Sequence, residues 1–128
     1  MDPHKLRYAK THEWASLEGD LCTVGLTQFA VDQLTDVIYV DMPDADDPVT
    51  AGESFGEIES VKAVSDLYAP VSGDVVEVND KLLNDPTLIS KEPYDKGWLV
   101  KIKVAKGTTL DHLMTHDQYQ KQIASEQH

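Results

Sequence analysis

Lys62 stands in the run EIESVKAVSDLYAP (57–70), between Val61 and Ala63. From residue 11 to residue 80 it is the sole Lys or Arg, while the same interval holds sixteen Asp and Glu residues. A primary amine flanked by short or apolar side chains, with no second amine beside it, suits a carrier site: a modifying enzyme can reach it, and no neighbouring lysine can be modified by mistake. The competing reading is a solvated surface lysine, where most lysines are found. Other residue pairs invite other chemistry. Glu57 and Glu59 alternate onto one strand face as paired carboxylates would for acid–base work, but no nucleophile or base accompanies them. His112 and His116 have the i, i+4 spacing of a shared metal, yet HLMTH lacks the Glu of a zinc-protease motif and no third ligand is evident. They read as solvated helix histidines. No glycine-rich phosphate loop and no Ser–His–Asp set is visible, so neither a catalytic constellation nor a metal site is expected.

A carrier lysine must be held out by rigid elements. Gly52 lies ten residues before Lys62 and Gly73 eleven after it, each in a turn-like context, TAGES and VSGDV. Between them SFGEIES and AVSDLYAP are two β-capable arms, which predicts a hairpin over 52–73 with Lys62 at its tip. Further strands are read at LCTVGLT (21–27), VIYVDM (37–42), VVEVN (75–79) and WLVKIKV (98–104). The last puts Trp98, Val100, Ile102 and Val104 on one face and Lys101 and Lys103 on the other. PDADDP (43–48) reads as an exposed loop. Cys22 alternates with Val24 and Leu26 as a small core residue, and Trp14 and Trp98 read as core aromatics. Thr27 is a credible N-cap for QFAVDQL, DKLLNDP allows one helical turn, and short helices are expected within 108–124, capped by Thr109 or Thr115. Leu110, Leu113, Met114, Tyr119 and Ile123 are their apolar anchors, and the last few residues are expected to fray. The expectation is one mainly β domain over 1–128 with peripheral helices.

The chain has 128 residues, 41% of them hydrophobic, and a formal net charge of −12. That charge argues against nucleic acid, whose phosphates demand clustered cations, and against anionic membrane surfaces. It favours protein partners with basic faces. A single cysteine excludes an intramolecular disulfide framework. No apolar run approaches a membrane span, and MDPHKLRYAK lacks a signal core, so a soluble protein is expected, cytoplasmic in a bacterium or in the mitochondrial matrix if a processed eukaryotic form.

The segment ESVKAVSDLYAPVSGDVVEVN (59–79) resembles the lipoyl-attachment region of the glycine cleavage system H-protein family. The resemblance continues collinearly through HEW (12–14), VGLT (24–27), LNDPTLI (83–89) and GWLVKIK (97–103), over roughly residues 7 to 120. Lipoyl domains of 2-oxo acid dehydrogenases usually place Asp before the lysine and biotin carriers place Met on both sides. Here the flanks are Val61 and Ala63, as in H proteins.

The resemblance implies a barrel-sandwich hybrid of two small antiparallel sheets with a lipoyl hairpin and short peripheral and C-terminal helices. It implies lipoate in amide linkage on Lys62, and a non-catalytic carrier rather than an enzyme. A pyridoxal-phosphate glycine decarboxylase would load the arm with an aminomethyl group, a tetrahydrofolate-dependent aminomethyltransferase would unload it, and a flavin (FAD) dihydrolipoyl dehydrogenase would reoxidise the dithiol. A lipoate ligase or an octanoyl/lipoyl transferase would install the arm. By the same resemblance the loaded arm folds into a cleft near HEW, with Glu13 and Asp66 as acceptors for the aminomethyl cation and Thr11 and His12 nearby. Glu57 and Glu59 belong to the negative surface read by the modifying and partner enzymes. The alternative is a lipoate-relay protein that donates lipoyl groups to other complexes. An unmodified scaffold of the same fold is a third reading, against which the intact ESVKAVSDLYAP weighs.

Overall fold

The computed structural model describes residues 2–34 and 36–126. Among the described residues, nine strands form two antiparallel sheets. The larger contains β1 (Arg7–Tyr8), β2 (Glu13–Glu18), β3 (Leu21–Leu26), β5 (Pro48–Val49), β8 (Gly73–Val78) and β9 (Val100–Lys103), in the order β1-β2-β3-β9-β8-β5. The smaller contains β4 (Val37–Asp41), β6 (Ser54–Ser60) and β7 (Val64–Tyr68), in the order β4-β6-β7. The sheets pack face to face without closing into a barrel, as the alternation of apolar residues requires.

Alternation also explains why there are two cores. On β2, Ala15 enters the main core between the sheets, with Cys22, Val24, Ile58, Leu67 and Ile102. Its neighbour Trp14 points the other way, into a smaller cluster with Leu6, Tyr8, Tyr119 and Ile123. The Trp14 ring needs Gly25 opposite it in the β2–β3 register, because a Cβ there would lie 2.5 Å from the ring. Trp14 is fully buried, with its indole N–H donating to the Pro93 carbonyl at 2.9 Å, whereas Trp98 is half-buried with the Lys101 ammonium 5.0 Å from its ring centre. Cys22 is buried in apolar surroundings, which pushes its thiol up to about 12.

Among the described residues, four α-helices flank the sheets, α1 (Gln28–Leu34), α2 (Lys81–Asn84), α3 (Leu88–Lys91) and α4 (His116–Glu126), and a 3-10 turn at Pro3–Lys5 precedes β1. Thr27 caps α1, its hydroxyl accepting from Ala30 N–H at 3.2 Å. Thr115 and Gln118 cap α4 reciprocally: Thr115 Oγ1 accepts from Gln118 N–H at 3.3 Å, and Gln118 Oε1 accepts from Thr115 N–H at 2.9 Å.

Three sequence expectations change here. Residues 108–115 form turns rather than a helix capped by Thr109, because Met114 exchanges backbone hydrogen bonds of 2.8 and 2.9 Å with Tyr8 and is held extended beside β1. His112 and His116 therefore do not share a helix. His112 Nε2 sits 2.7 Å from the Pro70 carbonyl, and His116 is half-buried against His4 and Tyr8. Pro48, expected in a loop, opens β5, which pairs with β8 through Pro48–Asp74 and Val49–Gly73. Gly73 itself opens β8, and its role is close approach: a Cβ there would lie 2.2 Å from the Lys103 carbonyl oxygen. Gly52, at φ +85°, supplies the left-handed turn ahead of β6. Residues 127 and 128, at the expected frayed end, lie outside the described residues.

Candidate functional site

β6 and β7 pair antiparallel, with Glu59 opposite Val64, Ile58 opposite Ser65 and Glu57 opposite Asp66. The strands join through Val61, Lys62 and Ala63, and Ser60 N–H donates to the Ala63 carbonyl at 2.8 Å. Ser60 is buried beneath this turn. Its hydroxyl oxygen lies 3.3 Å from Lys62 N and 3.2 Å from Ala63 N, accepting from both amides. Val61 N–H donates to the Asp36 carbonyl at 3.1 Å and fastens the tip to the chain entering β4. The turn is thus pinned from two sides. Lys62 is exposed, as are Val61 and Val64. It has no ion-pair partner among the described residues. Ser60 was not singled out in the sequence, although a Ser two residues before a tip residue is a signal for a hydroxyl-capped turn.

Beside the hairpin, a pocket of about 130 Å³ lies between β7 and the chain entering β2. Thr11, His12, Glu13 and Asp66 all line it, so four residues separated by up to 55 positions in sequence meet at one place. Its other walls are mostly apolar, from Leu26, Ala30, Leu34, Ile58 and Leu67, with Gln33 and Ser65 as the uncharged polar members. No Lys or Arg is among the lining residues.

Glu13 is the chemically unusual member. It is 1% exposed. Its carboxylate accepts from the Thr11 hydroxyl and, at 3.2 Å, from Tyr68 N–H. Burial raises its pKa from the ordinary carboxylate range to about 7, and the hydrogen bonds from Thr11 and Tyr68 only partly oppose that rise. An isolated buried carboxylate lacks a counter-charge, and a cation brought to it would favour the ionised form. Asp66, by contrast, is exposed, with the Tyr68 hydroxyl 3.4 Å from its Oδ2.

His12 adopts a left-handed conformation, φ 79°, costly for a residue with a Cβ. Its ring is held from α4. Nδ1 lies 2.7 Å from the Tyr119 hydroxyl, which lies 2.7 Å from Thr27 Oγ1, and Nε2 lies 3.2 Å from the Glu126 carboxylate. Burial lowers the pKa of His12, with the Glu126 charge pulling the other way. Tyr119 is therefore part of the support behind Glu13, and sequence reasoning took it only for an apolar anchor.

Glu57 and Glu59 face outward from the smaller sheet. Glu57 lies between Asp41 and Asp66, and Glu59 between Tyr39 and Val64. Three carboxylates side by side across three strands are unfavourable for stability. Such a row is an acidic surface rather than a catalytic pair. Among the described residues, no group of three or more His, Cys, Asp or Glu is placed to hold a metal ion, and no helix is long and apolar enough to cross a membrane.

Comparison with known proteins bears on the family. The family model described as glycine cleavage H-protein matches residues 6–126. The glycine cleavage system H protein of Staphylococcus carnosus is 46% identical over 121 residues, covering 94% of this chain and 96% of that protein. The H protein of Carboxydothermus hydrogenoformans is 43% identical over 124 residues, covering 97% and 95%. The crystal structure of a glycine cleavage system H protein from Mycobacterium marinum superposes with a TM-score of 0.88 at 37% identity, covering 96% of this chain and 99% of that one. The chain belongs to the glycine cleavage H-protein family, the lipoyl carriers of the glycine cleavage system.

Proposed function

We propose that Lys62 bears lipoate in amide linkage, and that the arm takes the aminomethyl group of glycine from a glycine decarboxylase to an aminomethyltransferase, then electrons to dihydrolipoyl dehydrogenase. The observation that carries this reading is placement: an exposed amine on a pinned turn stands beside a pocket with an acidic end and largely apolar walls. Asp66 is three residues beyond Ala63 along β7, roughly 10 Å at strand spacing, less than the extended length of an acylated lysine. The residues fit the group. Leu26, Ala30, Leu34 and Ile58 match an apolar chain, while Glu13, Thr11 and Asp66 match a cationic end. When bound, lipoate supplies a two-electron disulfide–dithiol couple and a thiol able to hold a one-carbon amine.

The chain's own residues supply shelter and charge. Ser60 and the Asp36 carbonyl fix the origin of the arm. The apolar walls exclude water, which protects a hydrolytically labile cargo. Glu13 supplies the counter-charge for a cationic amine and sheds its proton as that amine arrives, because the cation stabilises the carboxylate that burial disfavours. Thr11 orients Glu13, and His12, held from Tyr119 and Glu126, sets the backbone that places it. Glu57 and Glu59 offer the negative face approached by the modifying enzyme. The protein acts where its enzymes act, in the bacterial cytoplasm or the mitochondrial matrix.

Intact mass before and after incubation with lipoate ligase, ATP and lipoate tests the attachment, with Lys62→Arg as control. One lipoyl increment on the wild type and none on the variant is expected. The variant keeps its fold and charge but offers no amine to acylate. No increment on folded wild type, or an increment retained in Lys62→Arg, sinks the assignment. Glycine turnover after adding the three enzymes identifies the cleavage carrier. Transfer of the lipoyl group to an apo-dehydrogenase domain without such turnover identifies a relay protein.

A further inference from the structure

Among the described residues the exposed large apolar side chains are Ile38, Tyr39, Val61, Val64, Val76 and Leu83. Val61 and Val64 flank Lys62 and belong to the attachment region. Tyr39, Val76 and Leu83 do not. They line a single groove of about 500 Å³, formed where the end of β4 and the loop after it face β8 and α2. Tyr39 and Leu83 are about half exposed, at 51% each.

The groove's charged residues are all of one sign. Asp41, Asp44 and Asp80 line it without a cation partner among the described residues, and Glu77 lines it while reaching Lys101 at 3.8 Å. No Lys or Arg lines it. The acids are spread around an apolar floor and are not gathered into a metal-ligating group. The groove is also continuous with the hairpin. Tyr39 lies opposite Glu59, and Glu59 opposite Val64, so one cross-strand row runs from the groove to the residues beside the lysine.

We propose that this groove is a docking site for a basic, apolar-faced segment of a partner protein, separate from the grip any partner takes on the lysine. The proposal deepens the carrier reading and rests on it for the choice of partners. Charge complementarity selects the occupant. Lys and Arg stems lie across Tyr39, Val76 and Leu83 while their heads meet the aspartates, which an acidic or neutral segment cannot do. The rim speeds encounter and the floor slows departure. A grip away from the tip holds the carrier at an enzyme while the arm moves, raising the local concentration of its cargo.

The test uses the full chain, lipoylated and unlipoylated, against glycine decarboxylase, aminomethyltransferase and dihydrolipoyl dehydrogenase separately. Asp44→Lys with Asp80→Lys reverses the rim, and Leu83→Asp spoils the floor. Asp80 caps α2 without a side-chain hydrogen bond, so no cap is lost. Asp20→Lys with Asp111→Lys makes the same charge change at exposed positions outside the groove. With at least one enzyme, the groove variants are expected to raise KM about tenfold or more at unchanged kcat, and to weaken binding of the unlipoylated protein similarly, while the control moves either by less than about twofold. Groove variants indistinguishable from the control with all three enzymes overturn the proposal, as does a control equally impaired, which indicates overall charge alone. Thermal melts confirm folding, and Leu83→Ala replaces Leu83→Asp if the latter unfolds. If the wild type accepts no lipoyl group, the carrier reading fails while the binding titrations still decide the groove.

Discussion

The hairpin tip and the Glu13 pocket hold the two groups on which the proposed function turns, in opposite surroundings. Lys62 stands in water on a turn fastened by backbone and hydroxyl hydrogen bonds. Glu13 is buried, its carboxylate accepting from Thr11 and Tyr68, with no Lys or Arg lining its pocket. The amine needs access and the acid needs enclosure, so the fold assigns them differently. The tip is built from local contacts, between residues within three positions of one another apart from the Asp36 tie. The pocket is built from distant ones, with Tyr68 fifty-five residues from Glu13 and Tyr119 more than a hundred from His12. Changes at the pocket should therefore alter the stability of the whole molecule, in either direction, and changes at the tip should stay local.

Glu13→Gln tests that contrast most strongly. The folded pKa of about 7 stands above the ordinary value of 4.5, so folding takes up a proton between them. The wild type is accordingly most favoured below pH 4.5 and loses stability as pH rises through about 7. The amide avoids that penalty. Chemical denaturation should show the variant more stable by up to about 3 kcal/mol at pH 8 and nearly equal to wild type at pH 4. In the loaded protein the same change should shorten the lifetime of the aminomethyl cargo, since the counter-charge is gone. A pH-independent difference in stability means Glu13 does not titrate as its burial demands.

Tyr119→Phe should have a smaller effect. It removes the hydroxyl shared by His12 and Thr27 but keeps the ring stacked on Tyr8, 4.5 Å between centres. A loss of about 1–3 kcal/mol is expected, because His12 Nδ1 is left unpaired and Thr27 Oγ1 keeps only its bond from Ala30 N–H. If the denaturation midpoint does not move, α4 does not support the pocket in this way.

Ser60→Ala should be the mildest. Less than about 1 kcal/mol is expected, because the amides of Lys62 and Ala63 can turn to water. Amide exchange should quicken at these two residues and nowhere in the pocket. Quickening that spreads to residues 11–13 would erase the distinction between the regions.

The same contrast explains what was legible in the sequence. Hairpin, turn glycine and tip lysine lie within twenty-two residues and declare themselves through period two and turn chemistry. Thr27 as cap of α1 was readable for the same reason. Glu13 was not readable as buried, because an acid in THEW resembles any solvated acid until β7 is laid beside it. The two-residue strands β1 and β5 are too short to show a period, and each exists through a partner elsewhere, Ala15 and Trp14 for β1 and Gly73 and Asp74 for β5. Residues 108–115 have the composition of a helix start, but the pairing of Met114 with Tyr8 overrides it. Family resemblance, rather than spacing, brought Thr11, His12, Glu13 and Asp66 together in advance.

One contact of Glu13 bears on how the protein keeps to itself. β7 is an outermost strand of its sheet, and a row of unpaired amides on such a strand is a template for another molecule's strand. The carboxylate of Glu13 occupies the Tyr68 N–H on that side. An incoming strand would have to displace a buried side chain before it could zip on. The group proposed to receive the cargo thereby also guards the carrier against intermolecular β-pairing and aggregation.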